Sequence, residues 1–98
     1  MHVLTVCYGH PTDPAAFDSH YNSTHVPLAN KIPGVETYTW RHCASLDDSP
    51  PPYYLLAELS FPSEDALKAG LGSPEAQAAV ADVPNFATGG VTMFVAHD

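Results

Sequence analysis

The sequence predicts a single α+β domain, residues 1–98, whose strands and helical segments follow one another in the order βαββαβ. Three observations predict it. Four short runs alternate in polarity and are rich in β-branched and aromatic residues, at 3–8, 35–43, 53–61 and 91–97. The stretch between the first two carries apolar side chains at helical spacing. Between the last two runs lie segments that open on serine caps and are rich in alanine.

Residues 3–8 form the first expected strand, closed by the turn sequence Gly9-His10-Pro11. Asp13-Pro14 then supplies an N-cap and a proline at the first helical position, where its missing N–H costs nothing. In the helix that follows, Phe17, Tyr21, Leu28, Ala29 and Ile32 share one face at about 100° per residue. Pro33-Gly34 is expected to end it. The strand at 35–43 places Tyr38 and Trp40 on one parity, with Thr37 and Thr39 on the other. Residues 44–52, with Asp47-Asp48-Ser49 and three successive prolines, read as a stiff loop. Residues 53–61 are the most apolar strand. Ser63, followed by Glu64 and Asp65, caps a short helix ending near Gly70 to Gly72. Ser73-Pro74-Glu75 opens a second helix that Val83-Pro84 terminates, before the last strand at 91–97.

This order is the plan of a ferredoxin-like domain, with both helical layers on one face of a four-stranded antiparallel sheet. The other face is left bare, and a second copy of the chain is its simplest cover. A homodimer is therefore expected.

Composition narrows the partners. The formal charge is −8, and only Lys31, Arg41 and Lys68 are basic, which argues against nucleic acid and anionic membranes. No apolar run approaches the roughly 20 residues needed to span a bilayer. The N-terminal residues lack the basic flank of an export signal. Cys7 and Cys43 have no C-x-x-C spacing and read as free thiols. A cytoplasmic protein is expected.

His25 stands in the sequence Thr24-His25-Val26-Pro27-Leu28. It falls within the apolar arc of the first helix, four residues after Tyr21. One reading is a core histidine bonded to a backbone carbonyl. The other is a site, because Pro27 removes the hydrogen bond to the Ser23 carbonyl and opens the helix beside an imidazole that titrates near neutrality. Tyr38, Trp40 and His42 share a strand parity; Trp40 reads as packing, while Tyr38 and His42 carry polar ends that need partners. Glu58 interrupts the most apolar strand, so it is either at a solvent edge or buried beside a partner such as His25 or His42. Six histidines invite a metal reading. His20 and His25 are five apart, however, where a ligand pair on one helical face needs three or four. A site from His25, His42 and Glu58 is not demanded by any spacing, and no metal is expected.

Phe17 and Tyr21, then His25-Val26-Pro27-Leu28 and Pro33-Gly34, resemble the first-helix signature of the EthD family. The stretches Ala57-Glu58-Leu59-Ser60-Phe61, Ser73-Pro74-Glu75 and Asn85-Phe86 are similar to it as well, so the resemblance runs over nearly the whole chain. It implies a ferredoxin-like protomer that pairs into a dimeric α+β barrel, with a pocket between helices and sheet. It also implies catalysis without metal or organic cofactor, the histidine matching His25 being the usual catalytic candidate and the tyrosine matching Tyr38 a frequent companion. The proline-rich loop and the acidic balance depart from many relatives.

The function expected is proton transfer on a small apolar carbonyl compound: isomerisation, decarboxylation or dehydration. A histidine with a reference pKa of about 6.5 suits such chemistry. His25 is assigned the acid/base role and Tyr38 the donor to a developing oxyanion. Glu58 or His42 would orient one of them, and Phe17, Tyr21 and Trp40 would form apolar walls. Two other classes share these features: a non-catalytic carrier of an apolar small molecule, and a cofactor-free monooxygenase whose conjugated substrate supplies electrons to oxygen.

Overall fold

The computed structural model describes residues 1–98. Its strands are β1 (His2–Tyr8), β2 (Thr37–His42), β3 (Leu55–Phe61) and β4 (Val91–His97). They form one sheet in the order β2-β3-β1-β4 with every neighbouring pair antiparallel. The helices are α1 (Pro14–His20), α2 (Val26–Ala29), α3 (Glu64–Leu71) and α4 (Pro74–Asp82). The expected ferredoxin-like α+β fold is the one observed. No helix is long and apolar enough to cross a membrane.

The caps act as their residue types dictate. Asp13 accepts from the Ala16 N–H at 3.2 Å, Ser63 from Ala66 at 3.1 Å and Ser73 from Ala76 at 3.1 Å. The first helix departs from expectation. Between α1 and α2 the chain widens into a π-turn, Tyr21–His25, in which the Val26 N–H reaches back five residues to the Tyr21 carbonyl. Pro27 is the local cause: it has no N–H to offer the Ser23 carbonyl, and its ring crowds that carbonyl, so the preceding turn opens. The regular helix also stops at Ala29, short of Pro33-Gly34, where Gly34 turns the chain with φ +85°. β2 and β3 are shorter than expected by two or three residues, the proline-rich loop drawing Tyr53 and Tyr54 off the regular ladder.

Register decides the faces. Val6 pairs with Ala57 on one side and Met93 on the other, and Leu4 with Leu59 and Val95. Tyr38 and Trp40 oppose Leu59 and Ala57. These residues, with Tyr8, Leu55 and Phe61, face the helices. The core between the layers centres on Tyr8, Phe17, Tyr21 and Phe86, whose ring centroids lie 5.1–5.7 Å apart, mostly edge to face. The opposite face presents Val3, Thr5, Cys7, Thr37, Thr39, Arg41, Leu56, Glu58, Ser60, Phe94 and Ala96. It is more mixed than the run of apolar letters in β3 implied, because alternation sends Leu55, Ala57 and Leu59 all to the helix side.

The α3 helix comes so close to the turn after α2 that a Cβ on Gly70 would stand 2.6 Å from the Pro33 carbonyl oxygen and 2.8 Å from the Phe61 ring. Backbone cannot yield as a side chain can. Gly70→Ala is expected to lower stability by about 1–3 kcal/mol, seen as a lower urea midpoint at unchanged m value.

Candidate functional site

The site lies where the π-turn, α4 and the helix-facing side of the sheet meet. His25 leaves the last position of the π-turn and is only 5% exposed. Its Nδ1 bonds Asp82 Oδ2 at 3.1 Å. Asp82, the last residue of α4, is itself 6% exposed and accepts two more bonds on Oδ1, from His20 Nε2 at 2.8 Å and Asn85 Nδ2 at 3.1 Å. His20 and His25 both pack on the Phe86 ring, with centroids at 5.5 and 4.8 Å.

The π-turn explains how residues five apart reach one carboxylate. In an α-helix, positions i and i+5 diverge by about 140° at 100° per residue. A turn closed by i→i+5 bonds brings them onto the same side. Each imidazole takes a different oxygen of Asp82, so the three side chains bond one another. No group of three or more His, Cys, Asp or Glu side chains is placed to hold a metal ion.

The electrostatics follow from burial and these bonds. Burial pushes the His25 imidazole below its ordinary value of 6.5, and the Asp82 hydrogen bond and charge only partly oppose it. His25 is thus neutral at pH 7, its Nδ1–H donated to Asp82 and its Nε2 left as an acceptor. Nε2 makes no hydrogen bond within the chain. For Asp82, burial raises the carboxyl, but the bonds from His20, Asn85 and His25 outweigh it and hold it below the usual range.

His25 borders a small cavity of about 50 Å³ between the sheet and α4, open at one side. Its walls are Leu4, Val6, Ala57, Leu59, Ala79 and Val83, and Met93 also borders it. Three tyrosines relieve this apolar lining, Tyr8, Tyr21 and Tyr38, and of these Tyr21 Oη and Tyr38 Oη are 2.7 Å apart. Burial raises both phenols, Tyr38 to about 12 and Tyr21 beyond that. The pair stays protonated in neutral solution, one hydroxyl donating to the other and one proton remaining free.

Of the residues singled out in the sequence, His25, Tyr21 and Tyr38 line the cavity. Phe17 and Trp40 stand behind the lining and pack against Tyr21, at 5.7 and 6.0 Å between centroids. His42 and Glu58 are not brought to His25. His42 is exposed and bonds Asp18 of α1 at 3.0 Å. Glu58 points to the other face of the sheet, opposite Thr5 and Thr39, since its parity is that of Leu56 and Ser60. The partner that His25 has instead is Asp82. One signal marked it: an acidic residue in the last turn of a helix opposes the helix dipole and calls for donors of its own.

The sign of the pH effect is fixed by His25. Its folded value lies below its unfolded value of 6.5, so between the two the unfolded chain binds more protons and stability rises with pH. Unfolding free energy is expected to fall as the pH drops below 6.5, with a second loss from Asp82 only below 3.8. Urea titrations from pH 7.5 to 4.5 measure it, and His25→Gln should flatten the upper part of the curve.

Comparison with known proteins agrees with this fold. Residues 9–90 match the EthD domain family. An uncharacterised 11.0 kDa protein encoded in the thcB-thcC intergenic region of Rhodococcus erythropolis is 53% identical over 93 residues, covering 95% of this chain and 90% of that protein. The crystal structure of an ethyl tert-butyl ether degradation (EthD) family protein from Bacillus halodurans superposes with a TM-score of 0.92 at 28% identity, over 100% of this chain and 98% of the other. A dimeric ferredoxin-like protein of unknown function from Thermobifida fusca shares the fold, with a TM-score of 0.72 at 15% identity over 100% and 92% of the two chains. With the family matched across most of its length and a close relative covering nearly all of it, the chain belongs to the EthD family.

Proposed function

We propose that the protein is a cofactor-independent enzyme that moves protons on a small apolar carbonyl compound, acting in the cytoplasm as a homodimer. The observation that carries the reading is the His25 imidazole: Nδ1 is fixed by buried Asp82, Nε2 makes no hydrogen bond within the chain, and the residue borders an apolar cavity.

The chemistry follows from the tautomer. Neutral His25 accepts a proton at Nε2 from a carbon next to the carbonyl. The imidazolium that forms is stabilised by the Asp82 carboxylate on its other nitrogen, an effect that appears only as charge develops. The carbonyl oxygen gains negative charge and takes a hydrogen bond from the free proton of the tyrosine pair. Tyr38 is the better placed donor, since Tyr21 donating to Tyr38 Oη leaves the Tyr38 proton unused. Isomerisation follows when His25 returns the proton to another carbon, and dehydration when it returns it to a leaving hydroxyl. In decarboxylation, His25 takes the proton of the substrate's carboxylic acid and delivers it to the carbon that carbon dioxide leaves. No further group is required for these steps. The apolar walls exclude water and strengthen both interactions.

The test is deuterium uptake at the α-carbon of an enolisable cyclic ketone, followed by NMR. His25→Ala should reduce exchange by about 10²–10⁴-fold and Tyr38→Phe by about 10²–10³-fold. Thermal stability should change little in Tyr38→Phe and fall in His25→Ala, which takes a donor from buried Asp82. Binding of an apolar fluorescent ligand should change little in either variant. Equal exchange in wild type and His25→Ala would leave a carrier of apolar molecules as the better reading.

Pairing through the uncovered sheet face is supported by Phe94, 51% exposed on the edge strand β4, and by the dimeric Thermobifida fusca neighbour. Sedimentation velocity at micromolar concentration should give a dimer for wild type and a monomer for Phe94→Lys.

A further inference from the structure

Two imidazoles share one carboxylate, and the proposed chemistry uses only one of them. The two are placed differently. The His25 side chain is 7% exposed and borders the cavity, whereas the His20 side chain is 31% exposed and reaches solvent. His20 bonds Asp82 Oδ1 at 2.8 Å, a shorter contact than that of His25 to Oδ2. Its ring lies nearly parallel to Phe86, at 24°, which fixes the imidazole against α4 and its following turn.

We propose that His20 is a positioning residue for His25: it anchors the shared Asp82 carboxylate, competes with His25 for it, and when protonated opposes a second charge on His25, which stays neutral and able to accept a proton. Its role in turnover rests on the acid/base assignment of His25 made above.

The physical basis is two imidazoles sharing a single buried anion. A protonated His20 closes an ion pair with Asp82⁻. A second proton on His25 meets both the apolar cavity and a like charge across the carboxylate. Coulombic repulsion from His20 is among the influences that lower the His25 imidazole. The remaining titratable groups around the trio are Tyr8 from β1, Tyr21 from the π-turn and Tyr38 from β2. Burial raises all three, so none gains or loses a proton in this range. Asn85 adds a donor to Asp82 Oδ1 but no charge.

The experiment is an NMR titration of the His25 ring in protein labelled with ¹⁵N-histidine, from pH 8 to 4.5, for wild type and two variants. His20→Gln keeps a donor for Asp82 but cannot charge. His20→Phe keeps the ring on Phe86 and has neither donor nor charge. Both are expected to raise the midpoint of His25 protonation, His20→Phe the more, because the like charge disappears and Asp82 is left to His25. The acid limb of ketone deuterium exchange should move up by the same interval. A His25 midpoint unchanged in His20→Gln, with the fold intact, overturns the proposal even if His20→Phe is unstable. A residue that only packs would alter stability and leave the His25 titration where it was. Because the titration needs no substrate, an absence of exchange in every form would count against the catalytic reading and leave this one standing.

Discussion

A carboxylate taken out of water has to be given donors, and in this chain Asp82 receives three of them. That requirement ties together parts that are far apart in sequence. His20 and His25 come from the two ends of the widened turn, and Asn85 from the turn after α4. The end of α4 is thereby held against the first helical segment, with Phe86 set between the two imidazoles. The wall of the cavity and the orientation of the His25 ring both follow from satisfying one buried charge. Partly satisfied, the same network would cost more than an apolar core of equal volume.

Much of the fold was legible because its signals are local. Asp13-Pro14, Ser63 and Ser73-Pro74 mark helix starts by the chemistry of their own side chains, and the alternation around Trp40 and Leu55 marks strands. The cavity lining was legible in part: Tyr21, His25 and Tyr38 were found by parity and helical spacing. Asp82 was not, because its meaning depends on a contact between residues 57 apart in sequence. Glu58 was misplaced for a related reason. In a strand of nearly continuous apolar residues the alternation that would reveal its face is masked by Leu56, and only the pairing with Thr5 and Thr39 settles it.

The spacing of His20 and His25 shows how a sound rule can point away from the answer. Five residues separate them, and with 3.6 residues per turn they belong on different faces. The rule assumes a regular helix. Pro27 was recognised as a disturbance, yet a proline can kink, break or widen a helix, and the choice among these depends on what the widened turn can bond to. Here the gain is two imidazoles on a buried anion, an outcome that spacing alone does not contain.

A π-turn also has a bearing on how such a chain can change length. It holds one residue more than an α-helix needs to cover the same rise, so it is the natural scar of a single insertion. Every side chain after the insertion is rotated by roughly 100° relative to an uninterrupted helix. Val26, Leu28 and Ala29 face the sheet only because that rotation has already been made. Loss of one residue anywhere in this turn would swing the anchor residues of α2 out of the core while leaving α1 in place. The chain is therefore tolerant of substitution in the turn, as its exposed Asn22, Ser23 and Thr24 indicate, and intolerant of deletion there.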